Sequence, residues 1–170
     1  HMALTAAGSL TNIYAALDQY LTEQLVTAAG LSVRLHGVRR FIPPVDTPWV
    51  ECHYQFLGLQ SQHQRQVGPA LYGTERQGHL QVNIYQRARV YLTRYTIAAA
   101  RDQVVAAFPE GSLINVYDVA STDTAGGAPK VAVIMLDGLQ EHGQDDGKHS
   151  GVMQHVLQCA TRYLEEFTRA

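Results

Sequence analysis

The sequence feature that most constrains the fold is a two-residue alternation of apolar and polar side chains between residues 49 and 57. The apolar positions are Val50, Cys52, Tyr54 and Phe56, and the polar positions are Glu51, His53 and Gln55. Successive side chains of a strand point to opposite faces, so this stretch predicts a strand with one buried and one wet face. Residues 79–87 alternate in the same way. A sheet built from such strands needs a covering layer on one side only.

Two amphipathic segments are suited to form that layer. Apolar residues recur at helical spacing from Leu10 to Leu25, and Gly30 is a natural stop for the predicted helix. A second helix is predicted over residues 92–108, where Ile97, Ala100 and Val104 would face inward. Both helices are expected to pack on the same face of the sheet.

Further strands are predicted over residues 31–36, 113–119 and 130–136. The segment from Val152 to Phe167 fits either a helix or a strand, and we favour a strand. Residues 138–151 are interpreted as a polar loop. The Gln-rich stretch from Gly58 to Gly78 is too long for a tight turn, so it is either a flexible loop or a two-stranded arm that stands off the sheet. The predicted fold is therefore α+β, with a mostly antiparallel sheet and the order α-β-β-β-α-β-β-β.

Length and composition fit one domain over residues 3–170, and we interpret His1 and Met2 as the remnant of a cleaved expression tag. The formal net charge of -2 argues against sequence-specific nucleic-acid binding, which draws its affinity from phosphate neutralisation. No apolar run approaches the ~20 residues that cross a bilayer, so no membrane contact is expected. Cys52 and Cys159 have no metal-type spacing and are expected to be buried free thiols.

The strongest enzyme candidate is the polar loop. Its potential metal ligands are Glu141, His142, Asp145, Asp146, His149 and, just beyond it, His155. Their spacing matches neither a zinc-protease helix nor a calcium loop, and the neighbouring glycines make poor rigid supports. We therefore predict no catalytic residue, metal or cofactor. A small metal-dependent hydrolase that uses this region remains a distant alternative.

Four stretches together resemble the tail terminator, or tail-completion, proteins of long-tailed bacteriophages. They are the opening helix around residues 13–17, the strand entry Thr47-Pro48-Trp49-Val50-Glu51, the segment from Glu75 to Tyr85 with its Arg-x-Gly lead, and the helix end Phe108-Pro109-Glu110-Gly111. The resemblance covers nearly the whole chain as a pattern. Head-tail neck and head-closure subunits share similar features and are the alternative.

The resemblance implies a non-enzymatic virion protein, assembled in the host cytoplasm and located in the tail or neck. Such subunits form a homo-oligomeric ring, commonly a hexamer, which caps the tail tube and meets the head-tail connector. Residues 58–78 would be the arm that reaches a neighbour. The expected interface residues are Arg39, Arg40, Gln62, Arg65, Gln66, Leu71, Tyr72, Arg76, Arg87 and Arg89.

Overall fold

The computed structural model describes residues 2–57, 65–68, 71–88, 93–121 and 127–169. Two helices, α1 (Leu10–Leu21) and α2 (Thr93–Ala106), accompany nine strands. A short 3₁₀ turn (Ala6–Gly8) precedes α1, and wider π-helical turns (Thr22–Ala28) follow it. The strands are β1 (Met2–Leu4), β2 (Ser32–Arg34), β3 (Trp49–Leu57), β4 (Arg65–Gly68), β5 (Leu71–Arg87), β6 (Leu113–Tyr117), β7 (Lys130–Leu136), β8 (Gln140–Asp145) and β9 (Val152–Arg169).

All described strands belong to one sheet. Its main path runs β2-β3-β5-β9-β7-β6, while β1 and β8 pair with β9 and β4 pairs with β5. Among these pairings only β2 with β3 is parallel. The predicted α+β class with a mostly antiparallel sheet is confirmed.

Strand β9 holds the sheet together. All 17 residues of β5 pair with it along one edge. Its other edge is occupied in succession by β8, β7 and β1. The strand interpretation of residues 152–167 is therefore confirmed, and the pairing explains the ambiguous pattern. A strand flanked on both edges is specified by its neighbours as much as by its own periodicity.

Both helices pack on one face of this sheet, which we call the helical face. Ile13, Leu17 and Leu21 of α1 and Ile97 and Val104 of α2 are almost completely buried there. They meet alternate residues of the strands in a single core: Val50, Cys52, Tyr54, Leu80, Val82, Ile84, Ile114, Val116, Ile134, Leu136, Leu157, Cys159 and Tyr163. The predicted inward positions of both helices are confirmed except at Leu10, which begins α1 and exposes 41% of its surface.

The polar segment after Gly138 differs from its prediction as a loop. Residues Gln140–Asp145 form β8, which is antiparallel to β9. Every β8 side chain is exposed, so no apolar alternation marks the strand in the sequence. Its hydrogen bonds to the edge of β9 define it instead.

The stretch from Gly58 to Gly78 is partly a two-stranded arm, as one of the two interpretations held. Within it, β4 pairs with the first residues of β5, and residues 69–70 between the two strands lie outside the described residues. The arm does not stand off the sheet, because residues 71–78 of β5 also pair with β9. Residues 58–64 lie outside the described residues.

Candidate functional site

Those predicted interface residues that the structure describes do not form one patch. Arg76 and Arg87 lie on β5, and Leu71 begins that strand. At about 3.3 Å per residue, Leu71 and Arg87 are separated by roughly 50 Å. Arg39 and Arg40 lie on a separate loop between β2 and β3. The sequence analysis predicted all of these residues as interface residues, but the fold separates Leu71 from Arg87 by the whole length of β5.

Arg76 is engaged within the chain. Its Nη2 and Nε atoms donate to Glu165 Oε1 at 2.8 and 3.1 Å, which ties β5 to β9. This hydrogen bond is the largest cause that raises the pKa of the Arg76 guanidinium above its usual value. The Arg76 side chain therefore stabilises the pairing of β5 with β9 within the chain.

Four other predicted interface residues lie in or beside the arm, and a fifth follows β5. The backbone of Arg65, Gln66 and Tyr72 forms the paired strands β4 and β5. Gln62 and Arg89 lie outside the described residues.

Among the predicted interface side chains whose burial the structure describes, those on the loop of residues 35–48 are the most exposed. Arg39 and Arg40 are exposed, and Ile42 exposes 92% of its surface. The loop is anchored at both ends, since His36 Nδ1 accepts from the Tyr54 amide at 3.1 Å and the Asp46 carbonyl accepts from Gln86 Nε2 at 3.5 Å. Ile42 therefore buries almost none of its apolar surface within its own chain.

The carboxylates of the enzyme candidate hold a turn. Asp145 Oδ1 accepts from the Gly147 amide at 2.7 Å, and Asp146 Oδ1 accepts from the Lys148 amide at 2.9 Å. Glu141 pairs with Arg101 of α2 at 2.5 Å. A cavity of about 410 Å³ is lined there by Gln144, Asp145, Asp146, Met153 and His155.

That cavity gathers Asp146 and His155, but His142 and His149 are not among the residues that line it. Within the described part of the chain, no group of three or more His, Cys, Asp or Glu side chains is arranged to hold a metal ion. Likewise, no described helix combines the length and apolar character needed to cross a bilayer.

Both cysteines belong to the core, as the sequence predicts. Cys52 and Cys159 are free and buried on the helical face. Burial raises the pKa of each thiol to about 12, so both stay protonated at neutral pH. A protonated thiol is a poor nucleophile.

The opposite face of the sheet, which we call the polar face, carries Gln81, Asn83, Tyr85 and Gln154. Asn83 Nδ2 and Gln154 Nε2 each donate to the Tyr85 hydroxyl oxygen at 3.3 Å. The Tyr85 ring stacks on Trp49 with centroids 5.5 Å apart. Burial raises the pKa of Tyr85. These groups form a hydrogen-bonded row along the strands.

Sequence reasoning missed an apolar pocket on the polar face. It has a volume of about 410 Å³ and is lined mainly by Leu113, Val133, Met135 and Leu164, with Glu75 and Arg162 at its rim. Leu113, Met135 and Leu164 expose 59%, 43% and 38% of their surfaces. The available signal was the apolar run from Val131 to Leu136, which predicts burial on both faces of a strand. Here the helices cover only one of those faces.

No family model matches the chain, and no curated protein matches its sequence significantly. Solved structures do share its fold. One, known only by a sequence identifier, is 15% identical with a TM-score of 0.55 and covers 92% of this chain and 95% of its own. Another is a chain from the virion of a native gene transfer agent particle, 16% identical with a TM-score of 0.51, covering 95% of this chain and 98% of its own. At such identities the likeness establishes a shared fold over nearly the full length of each chain.

Proposed function

We propose that this chain is a non-enzymatic structural subunit of a virion. The observation that carries the proposal is the near-complete match of its fold to a chain from a gene transfer agent virion. The tail-terminator resemblance of the strand and helix pattern supports the same class of protein. In the finer form of the proposal, identical copies form a hexameric ring that caps the tail tube and joins it to the head connector.

The distribution of surface features supports self-assembly. The main path of the sheet begins at β2, beside the loop with Ile42, and ends at β6, beside the apolar pocket. Two different surfaces at opposite ends of one molecule suit a head-to-tail contact, and a repeated contact of this kind closes into a ring when its rotation permits. The hydrogen-bonded turn at Asp145 and Asp146 supports a structural role for the polar segment.

The test combines the purified protein with isolated tail tubes. Light scattering coupled to size exclusion and negative-stain imaging should reveal a ring, and the ring should sit on tube ends. DNA-filled heads serve as the matched comparison, because a neck or head-closure subunit would bind them in preference to tubes. A strict monomer at high concentration that forms no ring with tubes would contradict the proposal. Stoichiometric bound metal, measured by elemental analysis, would contradict its non-enzymatic part.

A further inference from the structure

We infer that the loop carrying Ile42 inserts into the apolar pocket of a second copy of this chain. This inference rests on the proposed function and names the contact through which identical subunits would join. It unites two exposed features that the monomer leaves unexplained: an isoleucine that is 92% exposed and a pocket whose apolar side chains face outward.

The loop is built to present Ile42 in a fixed conformation. Pro43 and Pro44 follow it directly, and Pro48 precedes β3. Proline fixes its own φ angle and restricts the residue before it to extended conformations, so Ile42 has few backbone states to lose. Ordering costs oppose binding, and a segment that is already stiff reduces them.

The pocket offers the matching apolar surface. Leu113 and Met135 face each other across the β6–β7 pairing, and Leu164 approaches from β9. Val133 completes the lining. A cavity of about 410 Å³ has ample room for one isoleucine side chain with part of its loop.

The charges beside the two surfaces are complementary. Arg39 and Arg40 precede Ile42 and are exposed. Glu75 and Asp137 lie beside the pocket and share a single guanidinium, Arg162, at 4.0 and 3.6 Å. Two carboxylates against one cation leave an excess of negative charge where a basic loop would arrive. Such complementarity guides encounter and fixes the register of a contact.

A head-to-tail contact also fits the fold's geometry. The loop lies at the β2 end of the sheet and the pocket at the β6–β7 end. Each copy therefore offers a loop to one neighbour and a pocket to the other, which is a heterologous contact.

Sedimentation analysis of two single variants, with and without tail tubes, tests the contact. Ile42→Asp removes the inserted side chain, and Met135→Asp places a charge in the pocket. Each should weaken self-association about ten- to a hundredfold, because a buried aliphatic side chain contributes that much to a contact. Tyr95→Asp is the matched control: Tyr95 is 58% exposed on α2, an element that contributes no residue to the loop or to the pocket lining, and an acidic residue suits a first helical turn. It should associate like the wild type.

A mixture of the two variants gives the sharper result. Ile42→Asp retains an intact pocket and Met135→Asp an intact loop, so together they should form dimers that grow no further. Circular dichroism checks that each variant is folded, and Leu113→Asp provides a second substitution of the pocket should Met135→Asp fold poorly.

The possible failures are distinguishable. If the wild type forms rings and Ile42→Asp forms them equally well, the loop-pocket contact is wrong while the proposed function stands. If the mixture of variants stays monomeric, the contact is likewise overturned. If the wild type itself remains monomeric with tail tubes present, both proposals fail, and a different protein would have to occupy the pocket.

Discussion

The helical face and the polar face of the sheet are made by alternate residues of the same strands, yet they differ in what they contribute. On the helical face Val82, Ile84 and Leu157 are completely buried under the two helices. On the polar face their sequence neighbours carry amides and hydroxyls that bond to one another, and the apolar pocket stays open. Folding stability is therefore concentrated on the helical face, and the polar face is free to contact other molecules.

The largest expected effect compares two adjacent residues of β9. Leu157→Ala should lower the free energy of unfolding by about 2–5 kcal/mol, because it leaves a cavity in a packed core. Val156→Ala, on the half-buried polar face, should cost about 1 kcal/mol or less. Urea denaturation of both variants measures the difference. Equal losses would mean that the two faces stabilise the fold alike.

The next effect compares two tyrosine hydroxyls. Tyr54 donates to Asp18 Oδ1 at 2.8 Å, which ties β3 to α1, and Tyr54→Phe should cost about 1.5–3 kcal/mol because the acceptor is a carboxylate. Tyr85→Phe removes two longer bonds to neutral amides on the polar face and should cost about 1 kcal/mol or less. A larger loss for Tyr85→Phe in the same denaturation experiment would reverse the ranking of the two faces.

Alkaline pH should destabilise the fold through its two buried thiols. Burial raises the pKa of Cys52 and of Cys159 to about 12. An unfolded thiol titrates near ~8.5, so between these values the unfolded chain binds fewer protons and stability falls as pH rises. Each thiol should contribute a slope of about 1.4 kcal/mol per pH unit within that window.

The unfolding free energy measured from pH 8 to 9 tests this slope, because unfolded tyrosines, whose ordinary pKa is about 10, ionise mainly above that range. Cys52→Ala should remove its share of the slope while it lowers stability at neutral pH. A slope unchanged in the Cys52→Ala, Cys159→Ala double variant would show that other groups cause the alkaline loss.

The smallest expected effect comes from an ion pair between β5 and β9. The pair Arg76–Glu165 is partly exposed, with 27% and 16% of the side chains accessible. A double-mutant cycle with Arg76→Met and Glu165→Gln should give a coupling of about 0.5–1 kcal/mol that decreases in high salt. A salt-independent coupling energy above that range would mean that the ion pair stabilises the fold as strongly as a buried contact does.

Periodicity accounts for what could be predicted. The alternating strands, the two helices and the inward positions such as Ile97 and Leu17 follow from their patterns, because burial on one face imposes them. Strand β8 could not be found this way, since all of its side chains are exposed and its backbone pairing leaves no apolar signal.

The sequence also could not show which predicted interface residues are already bound within the chain. Arg39 and Arg76 look alike in sequence, but only the fold reveals that Arg76 is bound to Glu165. The pocket depends on β6, β7 and β9 meeting, and Leu113 and Leu164 are far apart in the chain. Contacts of that range leave no local pattern.

The position of β9 in the chain has a consequence for biogenesis. The strand that pairs with β1, β5, β7 and β8 is synthesised after all of them. A ribosome that has made residues 1–151 has therefore produced partners with no common strand to join, and their edges stay open until Val152–Arg169 emerges. Ladders that close between such distant segments form slowly, in milliseconds to seconds. A nascent chain of this design depends on residues 152–169 for cooperative folding, and the interval before they emerge is when chaperones would be needed most.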